Sequence, residues 1–168
     1  MFRHSIYRHY WWIALLVGGG LVVLSVQYGG DDRVGLVGAT IAGTLGFCYF
    51  AVQQKLAETQ LFHGLFVRFN ERYDAMNGGL SDILSRHGDV TPSDRKLVVD
   101  YFNLCSEEYL FYKEGYIPAD VWRSWCRGMA SYLRKHPFRD IWDEEAKSES
   151  FYGLTKGKIF EGAALSVD

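Results

Sequence analysis

Charged residues are scarce at the start of this 168-residue chain. Only five of its 18 basic and 20 acidic residues lie in the first 54 positions, and residues 9–30 and 34–54 contain none. Each of these two stretches is close to the roughly 20 residues that an α-helix needs to cross a bilayer. The scarcity argues against a soluble domain over residues 1–54 and predicts two membrane-spanning helices there.

The chain also lacks the common signatures of catalysis and metal binding. None of its five histidines has another histidine three or four residues away, and its three cysteines form no Cys-x-x-Cys pair, so we expect no zinc site. Glycine-rich phosphate loops, G-x-G-x-x-G and G-x-S-x-G are absent as well. We therefore predict a non-enzymatic protein with no catalytic residue, no metal and no cofactor. The net charge of −2 argues against a nucleic-acid partner.

The two predicted spans are joined by a very short polar turn, GGDDR at residues 29–33. Such a turn requires antiparallel neighbouring helices, because each helix must satisfy its own backbone groups in lipid. Arg3, Arg8 and Lys55 lie at the outer ends of the spans, whereas Arg33 shares the turn with two aspartates. Both termini are therefore expected in the cytosol. A cleaved signal peptide is the alternative for the first span, but no Ala-x-Ala site follows it.

Small residues recur every three or four positions in the second span, and we call four of them the small-residue stripe: Gly35, Ala39, Gly43 and Gly46. A stripe of this kind lets two helix backbones approach closely in lipid. One interpretation is that the stripe packs on the first span, at the three glycines 18–20. The other is that it also packs between copies of the chain, as a scaffold or pore would require.

Residues 55–168 carry 15 basic and 18 acidic residues, and their apolar positions recur with the period of a helix. Four aromatic residues form a seam with steps of four, three and four: Phe62, Phe66, Phe69 and Tyr73. The second span is therefore expected to continue as one helix to about Asn77, with a stop or hinge at the glycines 78–79. The spacing fits both packing within the chain and a coiled coil between copies.

Turn and cap residues divide the rest of the chain. Thr91 followed by Pro92 predicts the start of a helix, and Gly115 predicts its end. Further helices are expected after Pro118 and Pro137, with an irregular tail from residue 147. The predicted fold is all-α: a transmembrane helical hairpin, residues 1–54, that continues into a small cytosolic helical bundle, residues 55–168.

Six residues of the polar part are candidates for a partner or ligand surface: Glu107, Glu108, Trp122, Arg123, Trp125 and Arg127. The carboxylates could otherwise form a solvated or Arg-paired helix face. The tryptophans could pack in the core or clamp a flat ligand. The arginines belong to a basic stretch that suits an anionic lipid or acidic partner, and that also fits a solvated face.

Three segments carry a resemblance to a known family. They read YFNLCSEEYLFYKEGYI at residues 101–117, VWRSW at 121–125 and FNERY at 69–73. Together they resemble a family of small bacterial two-span membrane proteins of unknown function with a cytosolic helical domain, over about residues 60–155. The resemblance implies a bacterial inner-membrane protein and supplies no catalytic residues.

Three functional hypotheses follow. The first is a membrane-anchored module that binds a protein partner or forms a homo-oligomer in the lipid bilayer. Its layout is similar to that of membrane-disrupting effectors of bacterial defence. The second is an accessory or assembly subunit of a larger membrane complex. The third is an enzyme acting on a lipid or a nucleotide through Glu107, Glu108 and Arg123.

Overall fold

The computed structural model describes residues 2–28, 30–86 and 89–164, with side chains throughout except at residues 2–11 and 13–15. Every regular element in these ranges is a helix, so the predicted all-α class is confirmed for the described part of the chain. Six α-helices follow one another: α1 Phe2–Tyr28, α2 Arg33–Ser85, α3 Pro92–Lys113, α4 Ala119–Leu133, α5 Phe138–Glu145 and α6 Lys156–Ala164. Two 3₁₀ turns complete the order, Gly30–Asp32 and Ala146–Ser148.

The chain divides into two compact units, Met1–Thr59 and Gln60–Asp168. The first unit holds α1, the turn Gly30–Asp32 and the beginning of α2. Gly30 adopts a positive φ of 53° in that turn, a conformation that glycine accepts readily. Large apolar side chains in this unit are mostly exposed.

Within the described residues, one helical stretch is long and apolar enough to cross a membrane, Gly30–Ser85. For the first predicted span, backbone and side chains are both described without a gap only from residue 16. This part of α1, Leu16–Tyr28, is apolar but shorter than a membrane span. The side chains of residues 9–11 and 13–15 and the whole of residue 29 lie outside the described part. By length and composition the second predicted span can therefore cross a bilayer, and the first stays a prediction.

The second unit is built around a core of buried aromatic and aliphatic side chains contributed by α2 to α6. Phe102 of α3 lies at its centre, with its ring close to those of Phe138, Trp142 and Phe151. Close edge-to-face ring pairs add about 0.5–1.5 kcal/mol each to the area that they bury. Ring packing is therefore a main source of stability in this unit.

The predicted stop at the glycines 78–79 is wrong, because α2 continues to Ser85. Leu80 and Ile83 are buried after these glycines, and their burial outweighs the poor helix propensity of glycine. Gly79 also has a packing role, since a Cβ there would lie 2.6 Å from Cδ2 of Leu97. The glycine lets α3 approach α2 closely.

The predicted limits of α3 are confirmed. Thr91 caps it: its hydroxyl accepts a hydrogen bond from the amide of Asp94, and the Asp94 carboxylate accepts one from the amide of Thr91. This reciprocal pair is a capping box, with Pro92 in the first turn. At the other end Gly115 takes a positive φ of 83° just past the helix. Cap chemistry therefore sets both ends of this helix.

The predicted irregular tail from residue 147 is wrong over Lys156–Ala164, which forms α6. This helix packs chiefly against α4 and buries Ile159 completely. Gly162 makes the approach possible, because a Cβ at this position would lie 2.7 Å from Sγ of Cys126. The glycine, serine and lysine content of this segment predicted a loop. The prediction failed because the local sequence does not show the close contact of Gly162 with Cys126.

Candidate interaction surfaces

The two faces of α2 in the first unit differ sharply. On one face Thr44 lies against α1, where a Cβ added to Gly18 would be 2.8 Å from Oγ1 of Thr44. The Thr44 hydroxyl donates to the carbonyl of Thr40, so its methyl group and Oγ1 are held in place. Over residues 33–57, the other buried or half-buried side chains of α2 share that face: Val37, Thr40, Cys48 and Ala51.

The small-residue stripe lies on the other face. At 100° per residue its centre is about 145° around the helix from the centre of the Thr44 face. All four residues of the stripe are exposed, and a Cβ added to Gly35, Gly43 or Gly46 would meet no atom within 4 Å. The interpretation that the stripe packs on the first span is therefore wrong for the described chain. Nothing described in this chain explains why these residues are small.

The predicted aromatic seam of α2 packs inside the second unit. Phe69 is buried, and its ring lies 5.7 Å from that of Phe111 and 5.9 Å from that of Trp125. Phe66 stacks on Trp125 and Phe62 lies beside Phe66. The seam therefore packs against α3 and α4 of its own chain, and this contact accounts for its spacing without a coiled coil between copies.

Tyr73, the last member of the seam, belongs to a polar group at the core's edge. Its hydroxyl donates to Oδ1 of Asn77 at 3.1 Å and lies 3.5 Å from the hydroxyl of Tyr132. The Tyr132 hydroxyl donates to the same Asn77 oxygen. Burial raises the pKa of Tyr73 well above its ordinary value, so the phenol stays neutral. This network joins α2 to α4.

Trp122 and Trp125 do not form a clamp for a flat ligand. Trp122 is buried and stacks on Tyr112, with ring centroids 5.0 Å apart and an angle of 12° between the rings. Trp125 stacks on Phe66 instead. Each indole therefore packs against an aromatic ring of its own chain. Trp122 is buried and does not contribute to the candidate surface, and Trp125 packs against Phe66.

Glu107 and Glu108 are adjacent in α3 but have different environments. Glu107 is partly exposed and accepts two hydrogen bonds from the Arg72 guanidinium, at 2.5 and 3.1 Å. Such a two-point pair fixes geometry as well as charge. The Glu107 carboxylate raises the pKa of Arg72, chiefly through this hydrogen bond. Glu107 thus links α3 to α2. This pairing agrees with the interpretation of the carboxylates as an Arg-paired helix face.

Glu108 is only 6% exposed, and among the described residues it takes part in no hydrogen bond or ion pair. Its oxygens keep some contact with solvent, because the fully buried side-chain nitrogen or oxygen without a hydrogen-bond partner in the described residues is Nε of Arg123. Burial raises the pKa of Glu108 to about 8; the Glu107 charge acts in the same direction and the Arg72 charge opposes it. At neutral pH this carboxyl is mostly protonated and does not belong to an acidic surface.

The basic stretch is interrupted by internal contacts. Arg123 pairs with Asp120 one turn earlier, Arg139 with Asp140, and the guanidinium of Arg134 lies over the Phe160 ring. Arg127 is exposed.

Cys126 lies between Arg123 and Arg127 in the sequence of α4. Burial raises the pKa of its thiol to about 12, so the thiol stays protonated and is a poor nucleophile.

A groove that sequence reasoning missed runs beside the start of α3. It consists of two neighbouring cavities of about 330 and 370 Å³, which share Val90, His136 and Pro137. Several of its polar groups contact one another: Arg86 donates to Asp94, Nδ1 of His136 lies 2.6 Å from Oδ2 of Asp140, and Arg95 donates to Glu144. The groove joins segments far apart in sequence, so no spacing pattern could reveal it.

Comparisons of the chain with known protein families, curated proteins and solved structures find no match. The resemblance of residues 60–155 to a family of bacterial two-span proteins therefore stays a prediction. No cluster of His, Cys, Asp or Glu in the described ranges has the geometry of a metal site.

Proposed function

We propose that this chain is a non-enzymatic, integral membrane protein that self-associates through the small-residue stripe of α2. The observation that carries the proposal is the exposure of this stripe on the face of α2 opposite Thr44. Two spans would anchor it in a bacterial inner membrane. Residues 60–168 would form a helical domain in the cytosol, and both termini would lie there too.

The physical argument rests on what drives helices together in lipid. Hydrophobicity does not favour association there, because lipid tails are as apolar as the side chains, so close backbone packing and interhelical hydrogen bonds take its place. Gly35, Gly43 and Gly46 would each admit a neighbouring backbone directly, since no side chain covers them. The occupant best suited to such a flat surface is the same surface on a second copy, related by two-fold symmetry.

The packed core of the second unit supports a binding role over catalysis. Arg72 and Glu107 hold each other, Arg123 holds Asp120, and Glu108 is buried. Three residues that an enzyme hypothesis would use are thus occupied in packing or pairing. The resemblance to two-span bacterial proteins supports the membrane location.

The test is the mass of the full-length protein in nanodiscs, for the wild type and Gly43→Ile. A Cβ at Gly43 meets no atom of its own chain, so the variant keeps the monomer intact and blocks only a close approach by another helix. The matched control is Leu45→Phe, which adds bulk at an exposed position about 115° around the helix from the stripe. We expect a homo-oligomer for the wild type and the control and a smaller species for Gly43→Ile.

A wild-type monomer would overturn self-association. If purification from native membranes then brought stoichiometric foreign subunits, and Gly43→Ile released them, the stripe would be the contact of an accessory subunit with a larger complex. The two hypotheses thus predict different masses and different co-purifying chains for the same pair of variants.

A further inference from the structure

Within the second unit, α2 has an exposed face, which we call the outer face. It consists of five exposed residues with steps of four, three, four and three: Gly64, Arg68, Glu71, Ala75 and Gly78. At 100° per residue its centre lies about 145° around the helix from the centre of the face that packs on α3 and α4, which contains Phe69, Tyr73, Leu80 and Ile83. A Cβ added to Gly64 or Gly78 would meet no atom within 4 Å. The steps are those of a narrow seam between two helices.

Two residues of the outer face carry opposite charges that the chain does not pair. Arg68 and Glu71 make no ion pair and no side-chain hydrogen bond with any described residue. They lie about 60° apart around the helix, and Gly64 and Ala75 lie at angles between them. The outer face is therefore a flat line of small residues with a cation on one side and an anion on the other.

The surface that complements this arrangement is the same surface on a second copy in parallel orientation. When two identical parallel helices face each other, each side of one helix lies against the opposite side of the other. Arg68 of each copy then lies beside Glu71 of its partner, so the ion pair forms twice. In an antiparallel arrangement like sides meet, and Arg68 would face Arg68. Charged residues beside a helix seam set partner choice and orientation in coiled coils by this rule.

We propose that the outer face of α2 is a second contact between two copies of the chain, with parallel α2 helices and reciprocal pairs between Arg68 and Glu71. The inference rests on the proposed self-association, in which both copies are inserted the same way in one membrane. A flat face with two exposed ion pairs binds weakly by itself. Two copies that the stripe already holds together meet at a high effective concentration, so a weak contact between their helical domains is sufficient.

The first test is disulfide cross-linking of the full-length protein in native membranes, with Cys48 replaced by serine. Gly64→Cys and Gly78→Cys place a thiol on the outer face without a clash, because an added Cβ meets no atom there. Ser124→Cys places a thiol at an exposed position of α4 and is the matched control. We expect each outer-face variant to form a disulfide with a second copy of itself and the control to remain unlinked.

Co-expression of the two outer-face variants tests the orientation. Residues 64 and 78 are about 21 Å apart along a helix, so parallel copies cannot join one to the other. Links between residues 64 and 78, in place of links between equal positions, would overturn the parallel arrangement.

Gly43→Cys in the same membranes separates this inference from the proposed function. Links through residue 43, with none through residues 64 and 78, would overturn the outer-face contact and leave self-association through the stripe in place. Links through residues 64 and 78, with none through residue 43, would support the outer-face contact and contradict the stripe.

Charge reversal distinguishes a specific contact from chance collision. Arg68→Glu in the Gly64→Cys chain should lower the linked fraction after brief oxidation about fivefold, because repulsion replaces two exposed ion pairs. Glu71→Arg should act in the same way, and the double variant should restore the linked fraction. Arg127→Glu makes the same charge change at an exposed position of α4 and should have no effect. A linked fraction that neither reversal lowers, or that the double variant does not restore, would overturn the proposal.

Discussion

Glycines with a close neighbour and glycines without one occur in both units of the molecule, but they are arranged differently. In residues 60–168, Gly79 and Gly162 are small because Leu97 and Cys126 lie against them. In residues 1–59, Gly18 is small for the same reason, whereas Gly35 and Gly43 have no neighbour within 4 Å of an added Cβ. Open glycines also occur in the second unit, at Gly64, Gly78 and Gly128, whereas in the first unit Gly35, Gly43 and Gly46 lie together on one face of α2. The alignment of these small residues on one face is the basis of the proposed self-association.

The exposure of aromatic residues differs between the two units. Phe50 is 65% exposed in the first unit, whereas Phe102 is 1% exposed at the centre of the second. Exposed rings in the first unit suit the proposed membrane location, since lipid tails are as apolar as the rings. Both units are helical. The second is packed around a core of its own side chains, whereas most large apolar side chains of the first are exposed.

The sharpest test of this division is the loss of a ring from each unit. Phe102→Ala removes the side chain that contacts Phe138, Trp142 and Phe151, and should destabilise residues 60–168 by about 4 kcal/mol. Phe50→Ala is the matched control and should leave the domain's stability unchanged. Thermal unfolding followed by tryptophan fluorescence checks both. Equal losses would show that the two rings do not lie in different environments.

The next test adds bulk at a glycine of each unit. Gly162→Ile places a side chain against Sγ and Cβ of Cys126, so α6 should leave α4 at a cost of about 3 kcal/mol. Gly46→Ile adds the same atoms at an open position and should not change domain stability. Exchange of the amides of Lys156–Ala164 measures the release of α6, and unchanged protection in Gly162→Ile would contradict the close contact.

A smaller effect is expected at Gly18, whose neighbour is the side chain of Thr44 alone. Gly18→Ile should weaken the contact of α1 with α2 by about 2 kcal/mol, because Oγ1 and Cγ2 of Thr44 occupy the space that a Cβ needs. Adding Thr44→Gly to this variant should restore much of the loss. Amide exchange around Thr44 reports the effect, and a double variant no better than Gly18→Ile would count against this contact.

The smallest effect concerns the cap of α3. Thr91→Ala removes the hydroxyl that accepts from the Asp94 amide and should cost about 1 kcal/mol of domain stability. Ser93→Ala, two residues later in the same exposed turn, is the control and should cost less. Chemical unfolding of the two variants distinguishes them, and equal midpoints would mean that the capping box does not stabilise the helix.

Local chemistry made part of this fold predictable. Thr91, Pro92 and Gly115 mark α3 because caps and positive φ angles depend on a few adjacent residues. The course of α2 past Gly79 and the existence of α6 could not be predicted in this way. They depend on the burial of Leu80 and on the contact of Gly162 with Cys126, which join distant segments.

The surroundings of the candidate surface residues can be predicted from the sequence only in part. Glu108 lies at helical spacing from two core residues, seven positions after Tyr101 and three after Cys105, and this spacing could have predicted its burial. Adjacent Glu107 lies at the helix edge and reaches Arg72. Which of two neighbouring carboxylates is buried depends on α2 and α4, which the local sequence does not show.

The most direct test of self-association is disulfide cross-linking in native membranes, in a chain whose Cys48 is replaced by serine. Ala39→Cys and Gly43→Cys place a thiol on the stripe, and Ile41→Cys places one at an exposed position on another face. Mild oxidation should link two copies through residue 39 and through residue 43, and should leave the residue 41 variant unlinked. Equal linking at all three positions, or none at any, would contradict a contact between copies along the small-residue stripe.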